Sequence, residues 1–144
     1  MIKIENIRDF TAIEANHYAI GDVHGCVTQM EHVLNWCADD AKQSGNRAII
    51  HLLGDYIDRG PNSKEVIEFL MQGPGLADDH VQWVPLRGNH DEMLLQVWNE
   101  PYHKDAAGWW EHGGQQTLLS YGWNPLDHPI PDHLDEWIPK SHID

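Results

Sequence analysis

Cysteine is scarce in this chain, basic residues are few, and no long apolar run interrupts it. Only two cysteines, Cys26 and Cys37, occur in 144 residues. They stand 11 positions apart, on or beside one predicted helix. That spacing argues against a disulfide between them, so a reducing cytoplasm fits. Lysine and arginine total 9 against 23 acidic residues, a formal net charge of −14. So acidic a surface repels nucleic acid and anionic membranes, and neither is expected as a partner. It does not forbid a phosphorylated substrate, because bound metal ions reverse the local field. No apolar run approaches the roughly 20 residues of a membrane span. Met1 to Phe10 carries scattered charges and no apolar signal core, so export is not expected. Internal repeats and low-complexity segments are absent.

What is present is ordinary in bulk and unusual in detail. A hydrophobic fraction of 41% and a charged fraction of 22% suit a globular protein, and the length suits a single domain, residues 1–144, with a real core. Three short phrases stand out: Gly21-Asp22-Val23-His24-Gly25, Gly54-Asp55-Tyr56-Ile57-Asp58-Arg59-Gly60 and Arg87-Gly88-Asn89-His90-Asp91. Asp22 lies 33 residues before Asp55, and Asp55 lies 34 before Asn89. Near-equal spacing suggests one strand–loop–helix unit delivered three times to a common edge.

The flanking pattern agrees. Tyr18 to Ile20, Ala48 to Leu53 and Val81 to Leu86 are apolar runs that read as buried strands, each ending at a phrase. Pro85 sits poorly in a central strand, which makes the third run an edge or ends it early. Helical stripes follow: Met30, Val33, Leu34 and Cys37; then Val66, Ile67 and Leu70, with Asn62 or Ser63 as cap; then Met93, Leu94, Val97 and Trp98. Alternating strands and helices predict an α/β fold with parallel strands, right-handed crossovers and all three phrases at the carboxyl ends of the strands. A tryptophan-rich stretch, about 98–139, reads as helices and loops beside that edge. There Trp109, Trp110, Trp123 and Trp137 read as core filler rather than substrate contacts, and Asp132 with Asp135 resembles a loose capping box.

The residue types in the phrases define a chemistry. Asp22 and His24, two apart on a loop leaving a strand, can reach one ion. Asp55 can bridge two ions, since a carboxylate has two oxygens, and Asn89 offers a carbonyl oxygen to the second. Mixed oxygen and imidazole ligands favour manganese, iron or zinc over calcium. Two such ions about 3.5–4 Å apart can generate hydroxide and clamp a phosphoryl group. Arg59 presents a fork that matches phosphate oxygens. His90 is placed to act as general acid, with Asp58 fixing its tautomer. Taken singly, each residue has a duller reading: Asp22 a helix cap, Asp58 and Arg59 a surface ion pair, Asn89 a turn residue. In this order after three strand-like runs, they read as one site. Cys26 reads as a structural thiol rather than a redox centre, His51 as a sheet histidine, and Tyr56 as a packing residue.

The phrases GDVHG, GDYIDRG and RGNHD resemble the calcineurin-like metallophosphoesterases, specifically the phosphoprotein phosphatase branch with its prokaryotic and phage serine/threonine phosphatases. The resemblance covers about residues 17–123, because Gly113-Gly114, Thr117 and Ser120-Tyr121-Gly122 are similar to the stretch those enzymes carry after the third motif. It implies an α/β sandwich of two sheets between helical layers. It implies two divalent ions, manganese first and iron or zinc next. Asp22 and His24 would bind the first ion, Asp55 would bridge and Asn89 would bind the second. His90 with Asp58 would be the acid and Arg59 the phosphate clamp.

The family pattern also needs two histidines from later loops, and the chain stops at Asp144 before a strand that would carry one. His112 before Gly113 imitates that phrase, but Trp109-Trp110-Glu111 is no buried strand, so His112 is not expected to bind an ion. The expectation is therefore an N-terminal portion of a phosphatase. Its second ion site and second sheet would be incomplete, its activity weak or absent alone, and its truncated chain prone to self-association. Phosphoserine or phosphothreonine is the first substrate reading, supported by Arg87 and the Gly113–Gly122 stretch. Hydrolysis of dinucleoside tetraphosphates is the second, supported by Asp91 where the phosphatases carry glutamate. A non-catalytic metal-binding remnant is the third, and the intact His90, Asp58 and Arg59 argue against it.

Overall fold

The computed structural model describes residues 15–74, 80–100, 106–128, 131 and 133–144. Three parallel strands form one sheet in the order β1-β2-β3: β1 (Ala15–Ile20), β2 (Arg47–Leu52) and β3 (Val81–Pro85). Helix α1 (Val27–Gln43) connects the first pair and α2 (Ser63–Gln72) the second; α3 (Asn89–Asn99) leaves β3. The fold class is α/β, as the alternation predicts.

Two right-handed crossovers that move the same way along a sheet place both helices on one face. Accordingly α1 packs on β1, β2 and α2, and Phe69 of α2 stacks on Trp83 of β3. The strands alternate to match. Ala48, Ile50 and Leu52 are buried under the helices, and each such Ile or Leu contributes about 1.5–3 kcal/mol by leaving water. On the other face His17 and Ala19 are exposed, while Ile49, His51 and Val84 are half-buried. His51 meets His17 there, 3.2 Å between Nε2 and Nδ1.

Several local expectations change. The strands stop one residue early, at Leu52 and Pro85, because Leu53 and Leu86 already turn outward. Pro85 ends an edge strand, where its missing N–H leaves no ladder bond unmade. The buried stripe of α1 is Met30, Leu34, Cys37 and Ala41; Val33 is 43% exposed. Helix α2 has no side-chain cap from Asn62, and Ser63 instead accepts a hydrogen bond from the Asp58 N–H. Both cysteines are free thiols, Cys26 half-buried and Cys37 buried.

After α3, the tryptophan-rich stretch forms α4 (Ala106–Trp109), a five-residue π-helical turn (Trp110–Gly114) and α5 (Gln115–Ser120). A break at Gly113, with φ 112°, redirects the chain. Short 3₁₀ turns at Leu134–Glu136 and Lys140–His142 follow, and Leu134 and Ile138 join the core. Asp132 of the expected capping box lies outside the described residues. The described residues hold one sheet, so the second sheet of a sandwich is not among them. No helix among them is long and apolar enough to cross a membrane.

Candidate metal and phosphate site

The three phrases meet at the carboxyl edge of the sheet, tied by backbone bonds. The Val23 and His24 N–H groups donate to the Asp55 carbonyl at 3.0 and 2.8 Å, and the Gly25 N–H to the Tyr56 carbonyl at 2.9 Å. Glycine is obligatory where these loops touch. A Cβ on Gly60 would lie 2.0 Å from the His24 carbonyl oxygen, and one on Gly54 would lie 2.0 Å from the Gly88 nitrogen.

Backbone strain marks the same place. Among the described residues, the non-glycines at positive φ are His24 (44°), Asp55 (54°), Asp58 (72°) and Arg59 (64°). Each such conformation costs on the order of 1–3 kcal/mol and persists only where the surroundings over-determine it. All four are residues singled out from sequence.

The side chains converge. Donor atoms of His24, Asp55 and His90 lie within 4.8 Å of one another. The Asp22 carboxylate, 67% exposed, stands 3.6 Å from His24 Nε2. Asn89 is exposed at the first turn of α3, beside His90. The two rings are held in one tautomer by what they touch. His24 Nδ1 donates to the Ile57 carbonyl at 2.7 Å, and His90 Nδ1 to Asp58 Oδ2 at 2.7 Å. Both Nε2 lone pairs are thereby left free. The Arg59 guanidinium takes them up, 2.8 Å from His24 Nε2 and 2.9 Å from His90 Nε2. A cation thus already sits between two imidazole lone pairs beside a buried carboxylate. That donor set fits a divalent ion, because ligating histidines are oriented by an outer hydrogen bond in this way.

Asp58 is wholly buried. Burial pushes its carboxyl above the usual range, and hydrogen bonds from Thr117, His90 and Trp109 offset only part of that rise. Thr117 Oγ1 donates to Oδ1 at 2.6 Å, and Trp109 Nε1 reaches both oxygens at 3.2 and 3.0 Å. Asp91 braces the motif edge. Its carboxylate accepts the N–H groups of Asp55, Tyr56 and Gly88 at 2.8, 3.0 and 2.8 Å. That grip holds the left-handed Asp55 backbone in place. Sequence reasoning missed Thr117 and Trp109 as neighbours of the site, and Asp91 as its brace.

Other residues stand apart. His112 donates Nδ1 to its own helix at the Gly108 carbonyl, with its ring centroid 6.3 Å from that of His90. Arg87 pairs with Glu92 at 3.0 Å on the surface. Tyr56 donates its hydroxyl to the Leu86 and Leu52 carbonyls at 2.8 and 3.1 Å, locking β2 to β3 at the motif edge.

The sequence profile of the calcineurin-like phosphoesterases matches residues 17–144. The chain belongs to this family. Family members use divalent metal ions, in agreement with the donor set above. Three relatives carry the name symmetrical bis(5'-nucleosyl)-tetraphosphatase. That of Aromatoleum aromaticum is 31% identical over 130 residues, covering 88% of this chain and 40% of the relative. That of Paracidovorax citrulli is 37% identical over 126 residues, covering 88% and 37%. That of Buchnera aphidicola is 38% identical over 81 residues, covering 56% and 26%. The chain therefore matches between 26% and 40% of the length of these relatives.

Proposed function

We propose that this chain carries the dinuclear-metal half-site of a hydrolase that cleaves dinucleoside tetraphosphates. The carrying observation is the convergence of His24, Asp55, His90 and Arg59 at one sheet edge, in a chain similar to enzymes named for that reaction. Asp22, His24, Asp55 and Asn89 are the residues that would hold the two ions. Manganese is the first choice of ion, iron or zinc the next. When bound, such ions neutralise phosphoryl charge and acidify an attacking water.

The chain's own residues do the rest. Arg59 leaves the two imidazoles and offers the same planar fork to two phosphate oxygens. Once Arg59 has withdrawn, His90, kept by Asp58 with its Nδ1 proton inward, takes up a proton from water at Nε2 and passes it to the leaving oxygen. In a symmetrical cleavage that oxygen belongs to a nucleoside diphosphate, and water supplies the new oxygen of the other.

The preference for phosphoserine or phosphothreonine loses its support. Arg87 is engaged with Glu92, and the Gly113–Gly122 stretch braces Asp58 and Arg59 from behind. Asp91 likewise braces Asp55. With these features engaged as scaffolding, the names of the relatives favour a small phosphoanhydride over a phosphoprotein. Incubation of the chain with manganese and diadenosine tetraphosphate should yield ADP as the sole nucleotide product, stopped by chelation. Phosphate release from a phosphopeptide with no ADP formed would overturn this reading.

A further inference from the structure

Thr117 and Trp109 lie 59 and 51 residues beyond Asp58, on helices flanking the break at Gly113. Both are buried, Thr117 wholly so. The threonine hydroxyl accepts the Asp58 N–H at 2.9 Å and donates to Asp58 Oδ1 at 2.6 Å. One hydroxyl therefore fixes both the backbone and the carboxylate of a residue whose φ is 72°. The indole N–H spans both carboxylate oxygens. With these two donors in place, the carboxylate can rotate no further, and Oδ2 faces His90 Nδ1. The Gly113–Gly114 turn makes this approach possible. A Cβ on Gly113 would lie 2.6 Å from the Arg59 nitrogen, and one on Gly114 would lie 2.4 Å from the Trp109 ring.

We propose that Thr117 and Trp109 are positioning residues for the Asp58–His90 pair, so that the segment after α3 sets the tautomer of the proton donor. The proposal rests on the functional reading above only for its catalytic consequence; its structural content stands separately. Residues that orient a functional group in this way are worth about 10- to 100-fold in activity.

The test uses Thr117→Val, which keeps the shape and removes the hydroxyl, Thr117→Ser, which restores it, and Trp109→Phe, which keeps an aromatic ring without the N–H. The first readout is the ¹⁵N and imidazole proton spectrum of His90 in the metal-free chain, assigned with His90→Gln. The Nδ1–H resonance should be present in the parent and in Thr117→Ser, and lost or shifted in folded Thr117→Val and Trp109→Phe. The second readout is manganese-dependent cleavage of diadenosine tetraphosphate: Thr117→Val should lower kcat about 10- to 100-fold with KM within about threefold, and Thr117→Ser should recover most of it. An unchanged His90 resonance in folded Thr117→Val overturns the proposal, whatever the activity. If Trp109→Phe fails to fold, Thr117→Val alone decides. Spectral changes as described, with phosphopeptide hydrolysis by the parent and no ADP formed from diadenosine tetraphosphate, would support the positioning and refute the functional reading instead.

Discussion

The motif loops and the tryptophan-rich segment divide the labour of this molecule. The loops hold the residues with chemistry, and they hold them in backbone conformations that ordinary side chains avoid: His24, Asp55, Asp58 and Arg59. The segment from α4 to α5 contributes no donor to the His24–Asp55–His90 cluster, yet supplies Thr117, Trp109 and the Gly113 carbonyl, which receives the Arg59 N–H at 3.3 Å. Strain on one side is matched by hydrogen bonds from the other. A site can thus be recognised from its loops while its rigidity resides elsewhere.

The sharpest break of that division is at Asp55. Asp55→Ala removes the buried carboxylate of the candidate metal cluster and the acceptor of the His90 N–H, 2.9 Å away. We expect metal-dependent cleavage to fall about a thousand-fold or more, since a bound ion supplies several kcal/mol to the transition state. Calorimetric titration with manganese should show the matching loss of binding. Retained binding and activity would move the metal site away from this edge.

His90 should show a substrate-dependent loss. His90→Asn ought to slow cleavage of an alkyl phosphomonoester about 10²- to 10³-fold, the range for a general acid. Diadenosine tetraphosphate should suffer less, because its departing phosphate has a pKa near about 6 and needs little protonation. Parallel kcat measurements on both substrates check this. Equal losses would mean His90 serves chiefly to hold metal.

How much of this was legible beforehand follows from sequence distance. Asp22, His24, Asp55, Asp58, Arg59, Asn89 and His90 announce themselves because each loop is fenced by glycine and preceded by an apolar run. Helical contacts of the motif edge were legible as stripes, except that Val33 broke the α1 stripe in favour of Ala41. The Thr117–Asp58 contact has no local signature: a threonine in a polar helix start, 59 residues away, carries no period or motif of its own. Tryptophan gave half its role away, since Trp109 is core filler by its 1% exposure and also a hydrogen-bond donor to the buried carboxylate. Asp91, in place of a glutamate, pointed toward the relatives named above, but its service to three backbone amides carries no mark in the sequence.

Glycine substitutions separate a close approach in the motif loops from an open position in α4 by stability. Gly60→Ala, in the motif loop, forces a Cβ against the His24 carbonyl and should cost about 2–4 kcal/mol. Gly108→Ala, in α4, meets nothing within 4 Å and should be neutral or stabilising by up to about 1 kcal/mol. Urea unfolding of both variants measures the contrast. Similar costs would show that position 108 is as tightly fitted as position 60.

Tyr56 tests the loop edge by pH. Burial first, and the Asp91 carboxylate second, push its hydroxyl from 10.0 to about 12. The folded state therefore favours the neutral phenol. That contribution is complete below pH 10 and is lost as pH rises through about 12, the direction required when the folded pKa is the higher. Two pKa units correspond to about 2 kcal/mol over the accessible range. Tyr56→Phe cannot ionise, but forfeits the hydrogen bonds to Leu52 and Leu86, worth about 1 kcal/mol. The parent should accordingly be the more stable near pH 9, and the variant should overtake it near pH 11.5. A stability difference that stays constant across that window would place Tyr56 in contact with water and loosen the β2–β3 edge on which Asp55 and Asn89 are mounted.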